Sequence, residues 1–173
     1  MFCLASMKIS ALLPVVILGV LALPAEATPV EPASKSSAQE VSDITAETIL
    51  AAMNEHRARH ELAPLSTEVR LTSAAKDRMR DMEDLGYWAH ESPEGRSPFF
   101  WVRYRAYRFT MVGENLARGY ETASVLVDSW MDSPGHRTNI LGVEYRDVGI
   151  AIIDGGTTGR FPGRSVVVLF GRD

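Results

Sequence analysis

Residues 130–141 read Trp130-Met131-Asp132-Ser133-Pro134-Gly135-His136-Arg137-Thr138-Asn139-Ile140-Leu141, and the fold turns on this stretch. Upstream, Val125, Leu126, Ser129 and Trp130 recur at helical intervals behind an N-cap at Thr122. Proline restricts the residue before it and donates no backbone hydrogen bond, so this helix is expected to stop near Ser133. Gly135 permits a sharp turn. His136 is therefore expected on a short rigid loop and not on a helix face. An imidazole presented in this way suits proton transfer, metal ligation or hydrogen bonding.

Two further fragments carry groups that fit beside it, Ala89-His90-Glu91-Ser92-Pro93 and Gly113-Glu114-Asn115-Leu116. Gly113 lets the backbone come close, and Asn115 can bind local backbone groups. A carboxylate facing two imidazoles would raise their pKa and hold their tautomers. Three such groups and a water would also make a tetrahedral zinc site. A satisfied polar cluster bracing loops against a sheet uses the same residues, and chemistry alone does not separate these readings.

One His, one Glu and one His in this order, with the wording S-P-G-H-R-x-N-I-L, resemble the CAP superfamily of cysteine-rich secretory proteins, antigen 5 and pathogenesis-related class 1 proteins, in its bacterial branch. Asn54 and Arg57, Ala63-Pro64-Leu65 and Asp147-Val148-Gly149 extend the match over about Ile44 to Arg172. Each piece is weak alone; five in the right order are strong. The resemblance implies a surface cavity holding two His and two acids, the second acid three residues after a helix Trp. Here that place is Ser133, with Asp132 beside it pointing elsewhere on a regular helix. The implied cleft is therefore lined by His90, Glu114, Ser133 and His136, while Asn115, Pro134, Gly135 and Asn139 belong to the supporting motifs. Fewer carboxylates mean weaker cation binding, so no cofactor is required and any zinc or other divalent ion on His90, Glu114 and His136 is expected to bind weakly.

The rest of the chain bounds this reading. Lys8 precedes an apolar run from Ile9 to Leu23, and Ala25-Glu26-Ala27 is a small-x-small cleavage site. Residues 1–27 read as a secretory signal peptide. The run is about 15 residues and contains Pro14, whereas a membrane span needs roughly 20. Cys3, the single cysteine, precedes the run, which argues against a lipoprotein. Cleavage leaves residues 28–173 with no cysteine, enough for one domain that relies on packing. The product is expected to be secreted or periplasmic, without a stable membrane anchor, and monomeric. Thr28 to Ser42 is rich in Pro, Ser and Ala and reads as a flexible linker; residues 43–173 form the domain.

The net formal charge of −4 gives no general support for nucleic-acid binding. Arg103, Arg105 and Arg108 interleave with Tyr104 and Tyr107, a pattern that can grip phosphates but more simply forms a solvated face beside a buried one. His56 and His60 stand one helical turn apart, but the zinc-protease signature needs Glu after the first His, and Arg57 is there. No G-x-S-x-G elbow accompanies the serines.

Helices are expected from Thr45 to about His60, from Leu71 to Leu85 closed by Gly86, and from Pro98 through Ala106, and the segment from Phe109 to Arg118 is expected to be extended. Asp147 to Asp154 alternates, with Val148, Ile150 and Ile152 on one face and Gly149, Ala151 and Ile153 on the other. Ser165 to Phe170 is continuously apolar, as in a strand buried on both faces. Helices first and strands later suggest α+β, and with the resemblance a three-layer α-β-α sandwich around a mainly antiparallel sheet. The expected function is a binding module for a small apolar, lipid-like, sterol-like or envelope ligand. The alternatives are a metal- or His-dependent hydrolase of peptide or envelope substrates and a structural or adhesive secreted module.

Overall fold

The computed structural model describes residues 43–156 and 160–173; the signal peptide and linker expected over residues 1–42 lie outside the described residues. Helix α1 (Ala46–Arg59) starts at Thr45, which exchanges side-chain and backbone hydrogen bonds with Thr48 in a capping box. Strand β1 is only Ser66–Thr67, and α2 follows as Val69–Leu85, ending at Gly86. Helix α3 (Phe99–Tyr104) is shorter than the sequence suggests, because Ala106 adopts a positive φ of 55°. Strand β2 spans Met111–Arg118, helix α4 Ala123–Asp132, helix α5 Pro134–Ile140, and strands β3 and β4 Asp147–Asp154 and Arg164–Arg172.

The strands pair in the order β1-β3-β4-β2. Both long pairings are antiparallel, and only the two-residue β1 runs parallel to β3. The sheet is thus mainly antiparallel, and its period-two pattern builds two cores. Val148, Ile150, Val166, Val168 and Phe170 face Ile49, Met53, Leu126 and Trp130 of α1 and α4. Ala151, Val167 and Leu169 face Leu71, Ala75, Met79 and Met82 of α2 and Trp101 of α3. Both faces of β3 and β4 are covered, which explains the unbroken apolar run of β4. Burial at about 25 cal/mol per Å² of apolar surface drives both layers together. Gly149 sets how close α2 comes, since a Cβ there would stand 2.0 Å from the backbone carbon of Leu71.

Pro134 requires a correction. The helix before it does end at Asp132, with Ser133 extended at φ −96° and ψ 117°. But Pro134 then begins α5 at its first position, where a missing N–H costs nothing and a fixed φ is preorganised. His136 therefore stands in the first turn of a short helix, not on a loop. Gly135 is helical, has no positive φ, and a Cβ there would meet nothing within 4 Å. The sharp turn expected of it does not exist.

Two family-type polar residues tie this frame together. Asn54 Nδ2 donates to the Leu65 carbonyl at 3.0 Å and its Oδ1 accepts from the Leu65 N–H at 2.8 Å. The fully buried Arg57 donates to the carbonyls of Ala63, Ile140, Gly142 and Tyr145 at 2.8–3.3 Å. Carbonyl dipoles solvate this cation, and they fix the end of α5 against α1.

Candidate functional site

Glu114 is the centre of the polar cluster, held on β2 between β4 and the helices. It is buried, and each carboxylate oxygen has its own partner. Oε2 accepts from Arg78 Nε at 3.0 Å, and Oε1 meets His90 Nδ1 at 2.8 Å. Arg78 is fully buried on α2. Its guanidinium also donates to the Tyr87 hydroxyl and the Ala89 carbonyl, and lies 4.5 Å from the Trp101 ring centroid. The Tyr87 hydroxyl in turn donates to Asp81. Burial and that hydrogen bond hold the Tyr87 phenol above its usual range. Arg78 thus anchors the loop that carries His90 through its contact with Ala89.

The motif residues read from the sequence did not include Arg78. The available signal was a charged residue among Leu71, Ala74, Ala75, Met79 and Met82, a placement that requires a buried partner.

His136 reaches the same region from α5 by a separate route. Asn115 Nδ2 donates to the His136 carbonyl at 3.2 Å. Asn139 Nδ2 donates to the Glu114 carbonyl at 3.1 Å and to Asn115 Oδ1 at 2.8 Å. These amides lock α5 to β2. Gly113 makes the approach possible, since a Cβ there would stand 2.6 Å from Asn139 Oδ1. The His136 ring is half-buried, with its centroid 6.1 Å from that of Trp130, and makes no side-chain hydrogen bond among the described residues.

The two imidazoles are driven apart in acidity. The hydrogen bond that His90 donates to Glu114 raises the His90 pKa against the effect of burial. Burial, with His90 nearby, lowers that of His136. At neutral pH His136 is therefore an uncharged ring with one donor and one acceptor nitrogen.

His136 opens onto a cleft of about 400 Å³, with walls from Trp88, Leu116, Ala117, Arg118, Tyr120, Ser129, Trp130 and Ser133. The structure divides the four expected cleft residues: Ser133 and His136 line this cleft, whereas the buried Glu114 and the exposed His90 are not part of its lining. Trp130 is fixed by an Nε1–H hydrogen bond to the Leu116 carbonyl at 3.1 Å. Asp132 is exposed and does not join the lining.

The donor set does not fit a divalent cation. Both oxygens of Glu114 are already engaged, one by a buried guanidinium that would repel a metal. Among the described residues no group of three His, Cys, Asp or Glu side chains is placed to hold an ion. His56 pairs with Asp128 at 2.9 Å, and His60 Nδ1 meets the His56 carbonyl at 2.8 Å, so these two histidines are each engaged separately.

The three-layer sandwich and its His-bearing cleft define a class of protein, and the model for the cysteine-rich secretory protein family, CAP, matches residues 50–170. The chain belongs to that family. It is 34% identical over 104 residues to the uncharacterized protein YkwD of Bacillus subtilis, a match covering 60% of this chain and 40% of YkwD. It thus spans about two fifths of that relative's length. An extracellular protein of Bacillus anthracis containing an SCP domain superposes with a TM-score of 0.64 at 24% identity, over 73% of this chain and 40% of that one. An outer surface protein of Borrelia burgdorferi superposes with a TM-score of 0.63 at 23% identity, over 73% of this chain and 90% of that one. These two likenesses establish the fold. Among the described residues no helix is long and apolar enough to cross a membrane.

Proposed function

We propose that this chain is an exported CAP-domain binding module whose ligand enters the cleft beside His136. The observation that carries this reading is the His136 ring itself. Its neighbours are braced by Asn115, Asn139 and Trp130, yet its own nitrogens have no protein partner among the described residues. A polar group on a braced backbone, left without a protein partner at the wall of an open cleft, is suited to an incoming ligand. Leu116, Ala117, Trp88 and Trp130 supply apolar walls, so the ligand has both a polar and an apolar part. A small lipid-like molecule or a fragment of the cell envelope meets that description. Export is supported by the signal-like residues 1–27 and by the extracellular and outer-surface relatives of the same fold.

Among the described residues the geometry offers no serine nucleophile activated by His136. Ser129 Oγ donates to the Leu126 carbonyl at 2.7 Å, and among the described residues no hydrogen bond joins a serine hydroxyl to His136. The test is NMR of the mature protein during addition of fractionated envelope extract. Saturable shifts are expected at His136, Trp88 and Ser133. Shifts confined to other surfaces, or none with any fraction, would reject the cleft as the ligand site.

A further inference from the structure

Resting on that reading, we propose that the cleft recognises an oxyanion on its ligand, a phosphate or carboxylate, and that Arg118 is the residue that selects it.

Among the described residues no carboxylate lines the cleft. Glu114, the acid nearest by sequence motif, is buried and saturated by Arg78 and His90. What the lining offers instead is donors. Arg118 stands at the end of β2, exposed, and has no acidic partner among the described residues. Its guanidinium carbon lies 4.8 Å from the Trp88 ring centroid and 4.9 Å from that of Phe161, and those rings pack edge to face at 5.4 Å. A guanidinium in cation–π contact keeps an N–H edge with which to donate. That edge matches the two oxygens of a carboxylate or phosphate. Ser133 makes no capping hydrogen bond with its hydroxyl, and His136 offers one ring N–H. A cation entering here meets a guanidinium and no anionic ligand. An oxyanion meets a preplaced charge and neutral donors, with an apolar wall behind for the remainder of the molecule.

Ser133 then has a meaning. In the place where the family pattern calls for an acid, a serine keeps the lining free of negative charge beside Arg118. The resemblance alone suggested a weakened cation site; this lining suggests a site of opposite preference.

The experiment follows the His136 ring, Arg118 Nε–H and Trp88 indole signals of the mature protein during titration with inorganic phosphate, glycerol phosphate, hexanoate and, as a probe of opposite charge, zinc. At least one oxyanion should produce saturable shifts of all three groups. Tighter binding of glycerol phosphate than of inorganic phosphate would place the phosphate on a larger ligand, and preference for hexanoate would place a carboxylate there. Arg118→Gln should weaken the preferred oxyanion by about tenfold or more, since a charge-assisted hydrogen bond is lost. Ser133→Glu should weaken it as well, by adding a repelling charge to the lining. Circular dichroism melting checks that both variants fold. The proposal is overturned if no oxyanion saturates, if Arg118→Gln binds as wild type does, or if zinc displaces the oxyanions in preference. Should oxyanions fail while a neutral molecule still shifts His136 and Trp88, this inference falls and the ligand cleft stands.

Discussion

Arg78 Nε and Glu114 Oε2 meet at 3.0 Å across the boundary of α2 and β2, with the two side chains 0% and 3% exposed. This ion pair connects the α2 layer to the sheet, and through Ala89 and His90 it orients the adjoining loop. Removing one member leaves the other charged and buried, which typically costs about 3–5 kcal/mol. Arg78→Met should therefore destabilise the domain by about that amount in urea unfolding, and Arg78→Met with Glu114→Gln should recover part of it. Equal stability of wild type and Arg78→Met would show that the pair contributes nothing to the fold.

The two histidines should titrate on opposite sides of the ordinary value of 6.5. The His90 value is raised, so the stability it lends is complete below 6.5 and fades as pH rises through its folded value. The His136 value is lowered, so its contribution is present above 6.5 and is lost as pH falls through its folded value. His90 is more than half exposed, so its share of stability is small after solvent screening. Histidine ring NMR from about pH 4.5 to 8.5, a window that brackets the ordinary imidazole range, checks the order. Coincident midpoints, or His136 protonating first as pH falls, would contradict it.

Asn139 is expected to act through α5. Asn139→Ala removes hydrogen bonds to the Glu114 carbonyl and Asn115 Oδ1, at a cost of about 1–3 kcal/mol for the groups left unpaired. Because Asn115 also holds the His136 carbonyl, the His136 signal should broaden in the variant while Trp101 in the other layer stays sharp. An unchanged His136 signal would separate this network from the cleft.

The glycines of the two motifs should behave oppositely. Gly135→Ala enters a helical first turn with nothing within 4 Å and should be neutral or stabilising, by up to about 1 kcal/mol. Gly113→Ala brings a methyl to 2.6 Å from Asn139 Oδ1 and should destabilise while disturbing His136. Thermal melting of both variants tests this contrast. Equal effects would mean that close approach at Gly113 is not what holds α5 on β2.

Much of the frame was legible because its signals are periodic. The alternation of Val148, Ile150 and Ile152 with Gly149, Ala151 and Ile153 identifies β3 and its two faces, and the apolar run from Ser165 to Phe170 identifies a doubly covered β4. Thr45 and Thr122 mark helix starts through their hydroxyls. The two-residue β1 has no period to detect. Ser133-Pro134 was ambiguous, because the same proline that ends one helix is well suited to open the next. His90, Glu114 and His136 were visible as motif residues, but their division was not. That depends on Arg78, which meets Glu114 36 residues further along the chain and takes the oxygen a metal would need.

Native mass spectrometry of the mature protein purified from its own host tests the central claim most directly, with Ser133→Trp, which fills the cleft, beside wild type. The account predicts a retained small molecule on wild type and its loss from Ser133→Trp, with both proteins equally folded by circular dichroism. The same retained mass on both proteins, or none on either, would contradict the cleft beside His136 as the binding site.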